Sequence, residues 1–260
     1  MELEQLADAV HPLVLEARRA VLGVYESGRY GEEQKADNTP VTDADRASHN
    51  ILAAGLAGLF PDIAVISEES RGADQERSGA LFWLVDPLDG TKEFIRGTGE
   101  FTINVALVDQ QGSPVWGLVD VPLQQRSYIG YGAHAFIREA GGDTPLHRLA
   151  AMDPAKPRAV ALSRSHRGAV DEWLREHHIE AERVVYAGSA VKFCWLAEGR
   201  IDLYVRLMPT MGWDTAAGQA LVEAVGGTVH ALPGGRLTYR PRAEVNPSFA
   251  AQAPQAQPGT

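Results

Sequence analysis

The chain has 260 residues, enough for one large domain or two closely packed halves, and its 45% hydrophobic and 22% charged residues are those of an ordinary globular protein. Its 24 basic and 34 acidic residues leave a formal charge of −10, which argues against a nucleic-acid polymer as partner and means that any small anionic substrate needs a local source of positive charge. No apolar run approaches the roughly 20 residues that span a bilayer, MELEQLADAV lacks the basic-then-apolar order of a secretory signal, and the single Cys194 excludes an internal disulfide, so a cytoplasmic protein without an integral membrane segment is expected.

Leu3, Leu6, Val10, Leu13, Val14, Ala17, Val21 and Val24 recur at helical spacing and predict an amphipathic helix over residues 3–24, with Pro12 marking a kink or a start. SGRYGEEQKADNTP follows as a loop. Thr42, with Asp45 three residues on, predicts an N-cap and capping box for a helix that carries Ile51, Leu52, Leu56 and Leu59 on one face and ends by Pro61. Residues 63–67 form a short strand that stops at Glu68-Glu69, and the apolar run 81–85 stops at Asp86. FTINVALVD, PVWGLVDVP and RSYIGYG predict successive antiparallel strands. Beyond residue 150 the pattern alternates: strands at 158–162 and 183–186 and in IDLYV, helices at 168–177 and 189–198, and a helix in DTAAGQALVEAV stopped by Gly226-Gly227. An α+β N-terminal half (1–150), a smaller α/β C-terminal half (151–247) and a disordered tail (248–260) are therefore expected.

The acidic residues at element ends carry the chemistry. Glu68 and Glu69 close one strand, Asp86 and Asp89 another, Asp214 opens a helix and Asp45 lies in the first turn of an earlier one. Carboxylates beside apolar strand ends repel one another and lose hydration, which is costly without a counter-ion. Oxygen-only donors with no cysteine or histidine cluster favour Mg²⁺ ahead of Mn²⁺ or Ca²⁺. Pro87 predicts a turn between the two aspartates that lets one carboxylate bridge two ions about 4 Å apart. Gly90-Thr91 offers backbone N–H groups to an anion. Plainer readings exist for each piece: DPLDG is a good turn, Asp45 and Asp214 are good helix caps, and Glu68-Glu69 suits a solvated strand end.

Glu68-Glu69, WLVDPLDGT (83–91) and WDTAAG (213–218) resemble, in order, the three signature segments of the inositol monophosphatase superfamily of Mg²⁺-dependent, lithium-sensitive phosphatases. KADNTPVTDAD, DGTKEF, SRSH, GSAVKFC and WDTAAG resemble its 3′(2′),5′-bisphosphate nucleotidase branch, of the CysQ type. The resemblance implies a layered αβαβα sandwich of the inositol monophosphatase and sugar phosphatase kind. It implies two or three Mg²⁺ ions, with Mn²⁺ as substitute: Glu68, Asp86 and the Leu88 carbonyl on the first, Asp86, Asp89 and Asp214 on the second, and a weaker third near Glu68 or the Asp37 loop. Thr91 and Asp45 would orient and help deprotonate the attacking water, with Glu69 beside them, and Gly90 and Thr91 would hold phosphate oxygens. Ser163, Ser165, His166, Gly188, Ser189 and Lys192 would line a nucleoside pocket, with Arg206 near a second phosphate. Glu68, Leu88, Asp89 and Asp214 would also border the substrate. The implied reaction removes the 3′-phosphate of adenosine 3′,5′-bisphosphate, and of its sulfated form, to give AMP and phosphate in the first case. The alternatives are an inositol monophosphate or fructose 1,6-bisphosphate phosphatase, or a metal-binding regulator without catalysis. A small phosphate ester is the expected partner, the chain being a monomer or homodimer in the cytoplasm, with peripheral inner-membrane association as a variant.

Overall fold

The first helix, α1 (Leu3–Ser27), runs unbroken through Pro12 and buries Leu6, Ala7, Val10, Val14, Ala17 and Val21. Proline inside a helix removes a hydrogen bond and crowds the preceding turn. Here the buried stripe continues on both sides of it, so no start occurs at Pro12. This is a computed structural model, and it describes residues 2–35, 39–70, 80–153, 155–163, 167–232 and 234–255. The segment expected as a loop holds a small antiparallel pair, β1 (Glu33–Gln34) and β2 (Pro40–Val41). The helix α2 (Asp43–Leu59) opens on the Thr42 capping box as expected. It buries Leu52 and Leu56, but its last residue, Leu59, is 49% exposed.

A seven-stranded sheet follows in the order β3 (Ala64–Ser67), β4 (Leu81–Asp89), β5 (Thr102–Asp109), β6 (Pro114–Val121), β7 (Arg126–Tyr131), β8 (His134–Glu139), β9 (Gly142–Pro145). Only β3 and β4 pair in parallel. The short helix α3 (Thr91–Ile95) lies between β4 and β5. Successive strand side chains point to opposite faces. Trp83 and Val85 of β4 therefore join the core under α1 and α2, while Phe82 and Leu84 join the core on the other face. Burial on both faces explains why β4 reads as an uninterrupted apolar run.

The remaining elements are β10 (Ala159–Ser163), α4 (Arg167–Glu176), β11 (Arg183–Ala187), α5 (Val191–Ala197), β12 (Leu203–Arg206), α6 (Gly212–Ala224), β13 (Thr228–Ala231) and β14 (Phe249–Gln252). They form a five-stranded sheet in the order β11-β10-β12-β14-β13. The β10 strand is parallel to both neighbours, and β14 is antiparallel to both of its own. One core joins this sheet to α5, α6 and the first sheet, through Ala161, Tyr204, Phe249, Phe193, Ala217, Leu221 and Tyr128. A separate cluster of Val160, Leu162, Leu203 and Val205 meets Val170 and Leu174 of α4 on the outer face. The layers are thus α1/α2, sheet, α5/α6, sheet, α4, an αβαβα sandwich as expected.

Part of the expected tail is structured. Phe249 and Ala251 of β14 and Ala253 just after it are buried, and β14 sits between β12 and β13; residues 256–260 lie outside the described set. Alanine-rich alternation is a weak strand signal, and here the neighbouring strands supply the pairing.

Two glycines bring α6 onto the first sheet. A Cβ at Gly117 would lie 2.5 Å from the Ala217 oxygen, and one at Gly130 2.6 Å from the Leu221 Cα. The helix backbone rests directly on β6 and β7, which brings the α6 N-terminus and Asp214 towards the end of β4. Among the described residues no helix is long and apolar enough to cross a membrane.

Candidate functional site

The DPLD segment is a β-bulge within β4, not the expected turn. Asp86 pairs with Asn104 and Asp89 with Thr102, so three steps on β4 match two on β5. Pro87 has no N–H for the ladder, and a bulge is where a strand tolerates that. The Pro87 carbonyl accepts the Ser48 hydroxyl of α2 at 2.7 Å. Strand β4 ends at Asp89, and Gly90, whose φ of 92° suits glycine, is the N-cap of α3.

Asp45 caps its helix with one carboxylate oxygen and meets Thr91 with the other. Its Oδ2 accepts the Thr42 N–H at 2.7 Å and the Thr42 hydroxyl at 2.6 Å, which is the helix cap. Its Oδ1 accepts the Thr91 hydroxyl at 3.0 Å, and that hydroxyl also lies 3.3 Å from the Leu88 carbonyl. Burial pushes the Asp45 carboxyl up to about 6, against the hydrogen bonds from Thr42 and Thr91.

Glu68, Asp86, Asp89 and Asp214 come together around the end of β4. Asp86 is 1% exposed; burial, then the charges of Glu68, Asp89 and Asp214, hold its carboxyl well above the usual range. Asp214 is pushed up to about 8 by burial and then by Asp89, and it lies within hydrogen-bond reach of Asp86. Loss of hydration raises Glu68 against the opposing charge of Lys35, and raises Asp89 against that of Lys192. Asp214 is not the N-cap of α6, which is Met211, but the capping-box acceptor one turn in, taking the Met211 N–H at 2.8 Å.

These donors suit a hard cation: all are oxygens, and each destabilises its neighbours as anions. Among the described residues, however, no three acidic, histidine or cysteine side chains are gathered closely enough to hold an ion. Local donors hold them instead. Asp86 Oδ1 accepts the Leu88 N–H at 3.0 Å, and the Lys35 ammonium bridges Glu68, at 2.7 Å, and Glu69.

The expected nucleoside-side residues divide. Ser189, Lys192 and Arg206 border a cavity of about 80 Å³ together with Asp89 and Asp214. Lys192 is 2% exposed, and its ammonium donates to the carbonyls of Ala187 at 3.1 Å, Gly188 at 2.8 Å and Ser189 at 2.6 Å. It is no solvated helix lysine. The Arg206 guanidinium donates to the Ser163 hydroxyl and to the Met208 carbonyl at 3.2 Å. Ser165, His166 and Asp37 lie outside the described residues. On the other side of the carboxylates, Lys35, His49, Glu68 and Glu69 border a cavity of about 800 Å³.

Sequence reasoning passed over Lys35, Ser48 and Asn104. The Asn104 amide donates to Asp89 Oδ2 at 3.3 Å, and its Oδ1 is buried without a partner among the described residues. The signal was present: Asn104 interrupts the apolar run of FTINVALVD.

The model of the inositol monophosphatase family matches residues 2–258. The chain is 41% identical to 3′(2′),5′-bisphosphate nucleotidase CysQ of Shigella flexneri, over 94% of this chain and 98% of the relative. It is 40% identical to the Escherichia coli K12 protein of the same name, with the same coverage. Among solved structures it is similar to CysQ from Bacteroides thetaiotaomicron, with a TM-score of 0.80 and 33% identity over 97% of this chain and 98% of that one. A Thermotoga maritima IMPase shares the fold, with a TM-score of 0.76 at 22% identity over 96% of this chain and 92% of that one. By signature segments, layers and relatives alike, the chain belongs to the inositol monophosphatase family.

Proposed function

We propose that this protein is a Mg²⁺-dependent phosphatase that hydrolyses the 3′-phosphate of adenosine 3′,5′-bisphosphate to AMP and phosphate, and accepts the sulfated form as well. The observation that carries the reaction is the Thr91–Asp45 hydrogen bond of 3.0 Å beside four mutually repelling carboxylates. The substrate rests on the nucleotidases that are 40% and 41% identical over nearly their whole length.

In this reading Glu68, Asp86, the Leu88 carbonyl, Asp89 and Asp214 would hold two or three Mg²⁺ ions, or Mn²⁺ in their place. Bound Mg²⁺ supplies the positive charge that a −10 chain lacks, lowers the pKa of the attacking water and takes up charge on the leaving oxygen. The chain's own part is to place the water and receive its proton. Thr91 Oγ1 accepts the proton of the water as its own proton passes to Asp45 Oδ1. The two Thr42 donors keep the Asp45 carboxylate turned towards Thr91. Glu69 steadies the water from the β3 side, once Lys35 releases it. The Gly90 and Thr91 N–H groups hold phosphate oxygens, which the αL turn at Gly90 favours by opening the backbone. Ser163, Ser165, His166, Gly188, Ser189 and Lys192 receive the nucleoside, and Arg206 supplies charge for the 5′-phosphate.

The test is phosphate release from adenosine 3′,5′-bisphosphate, inositol 1-phosphate and fructose 1,6-bisphosphate, with Mg²⁺ and with chelator. The highest kcat/KM is expected on the nucleotide, and none with chelator. Preference for a sugar phosphate would overturn the substrate, and release in chelator would overturn the metal-dependent reaction.

A further inference from the structure

Three segments meet at Glu100. Its backbone is anchored by the next residue, Phe101, which is fully buried and packs against Tyr25 and Phe94. The Glu100 carbonyl is wedged between two glycines: a Cβ at Gly90 would lie 2.9 Å from it, and a Cβ at Gly188 3.1 Å. The Glu100 carboxylate accepts the Gly188 N–H at 2.9 Å. Loop 187–190 is thus held from both sides. Lys192 takes the carbonyls of Ala187, Gly188 and Ser189, Glu100 takes amide 188, and Asp89 takes amide 190. Between the two pinned amides, Ser189 has a φ of 44°, a left-handed conformation that a serine keeps only when its surroundings impose it. Its Cβ hangs 3.3 Å from where a Gly90 Cβ would be.

We propose that Glu100 is a positioning residue: its carboxylate fixes loop 187–190 over Gly90 and so sets the affinity for the nucleoside part of the substrate. The inference rests on the phosphatase reading above for its kinetic consequence, and on geometry alone for the loop. The Lys192 ammonium donates to the loop's carbonyls and cannot take an N–H; without the Glu100 carboxylate, amide 188 loses its acceptor, and Ser189 is free to leave the αL conformation.

Glu100→Ala, Glu100→Leu and Glu100→Gln test this. Removing the acceptor is expected to lower kcat/KM for adenosine 3′,5′-bisphosphate about 10- to 100-fold, the worth of one hydrogen bond to a charged group, chiefly through KM. Turnover of 4-nitrophenyl phosphate, which has no nucleoside, should change by less than about threefold. Glu100→Gln keeps a carbonyl oxygen for the Gly188 N–H and should recover most of the loss. Hydrogen exchange, which needs no activity, should be faster across residues 187–190 in Glu100→Ala and close to wild type in Glu100→Gln. Glu100→Leu replaces Glu100→Ala if the smaller side chain prevents folding. Unchanged exchange across 187–190, equal kinetic losses on both substrates, or no recovery in Glu100→Gln would each overturn the inference. If the wild-type chain leaves the nucleotide intact, the phosphatase reading fails, and the exchange experiment decides on Glu100 by itself.

Discussion

Asp45→Asn and Thr91→Ala, made singly and together, put the proton path to the test. The Asp45 carboxylate accepts from Thr42 N–H, from the Thr42 hydroxyl and from the Thr91 hydroxyl, at 2.7, 2.6 and 3.0 Å. Asparagine keeps one acceptor oxygen and turns a donor towards the other partners, so it cannot take the Thr91 proton and also satisfy both Thr42 donors. A positioned general base contributes roughly 100- to 10,000-fold, or about 3–5 kcal/mol of barrier, and each single variant should lose kcat in that range. In the proposed path both residues serve one proton transfer, so the double variant should fall little below the worse single one. The Asp45→Asn variant should also lose about 1 kcal/mol of stability from the weakened cap. Asp45 is pushed up to about 6, and the proposed path needs its carboxylate unprotonated, so wild-type kcat/KM should decline as pH falls through that region. The assay is steady-state phosphate release at saturating Mg²⁺ for all four proteins, with urea unfolding as the control for stability. Multiplying losses in the double variant, or an Asp45→Asn kcat within about threefold of wild type, would refute the shared path.

Three further outcomes are expected. Mg²⁺ at 100 times its Kd should stabilise the wild type by about 2.7 kcal/mol in thermal melts, and Asp86→Asn, which removes the carboxylate charge that Glu68, Asp89 and Asp214 all act on, should abolish both this gain and turnover; an equal gain in the variant would remove Asp86 from the metal site. Asp120→Ala leaves the Arg18 guanidinium, 8% exposed, without its carboxylate between α1 and β6, and should cost about 3–5 kcal/mol by urea unfolding; a loss below about 1 kcal/mol would show the pair to be incidental. Burial, then the charges of Arg138 and Arg18, hold His11 down to about 4, whereas the unfolded chain binds that proton near its ordinary 6.5. The unfolded state therefore holds more protons between those values, so stability should be full above about pH 7 and fall as pH drops towards 4. His11→Asn should flatten that fall, and an unchanged pH dependence would contradict it.

The elements that were legible in the sequence owe it to local physics. The α1 stripe, the Thr42–Asp45 box and the apolar run of β4 each follow from a few neighbouring residues. What escaped depends on partners distant along the chain. Strand β14 is alanine-rich and forms because β12 and β13 flank it. The β8–β9 hairpin, half exposed, has no strong alternation to betray it. DPLD reads as a turn, and only the β5 register makes it a bulge. The acidic residues at element ends marked the site, but Lys35 and Glu100 needed the packed structure to show which charges they meet. The plainer reading of Asp45 as a cap is true as well, since a first-turn carboxylate can satisfy its helix with one oxygen and face the site with the other.

Attack of water at the 3′-phosphorus, with the 5′-phosphate left in place, can be read from turnover in heavy-oxygen water. Adenosine 3′,5′-bisphosphate and Mg²⁺ would be supplied and the products read by mass spectrometry and phosphorus NMR. AMP without label and inorganic phosphate carrying one heavy oxygen are expected. Label in the nucleoside product, or adenosine 3′-phosphate in place of AMP, would contradict this route.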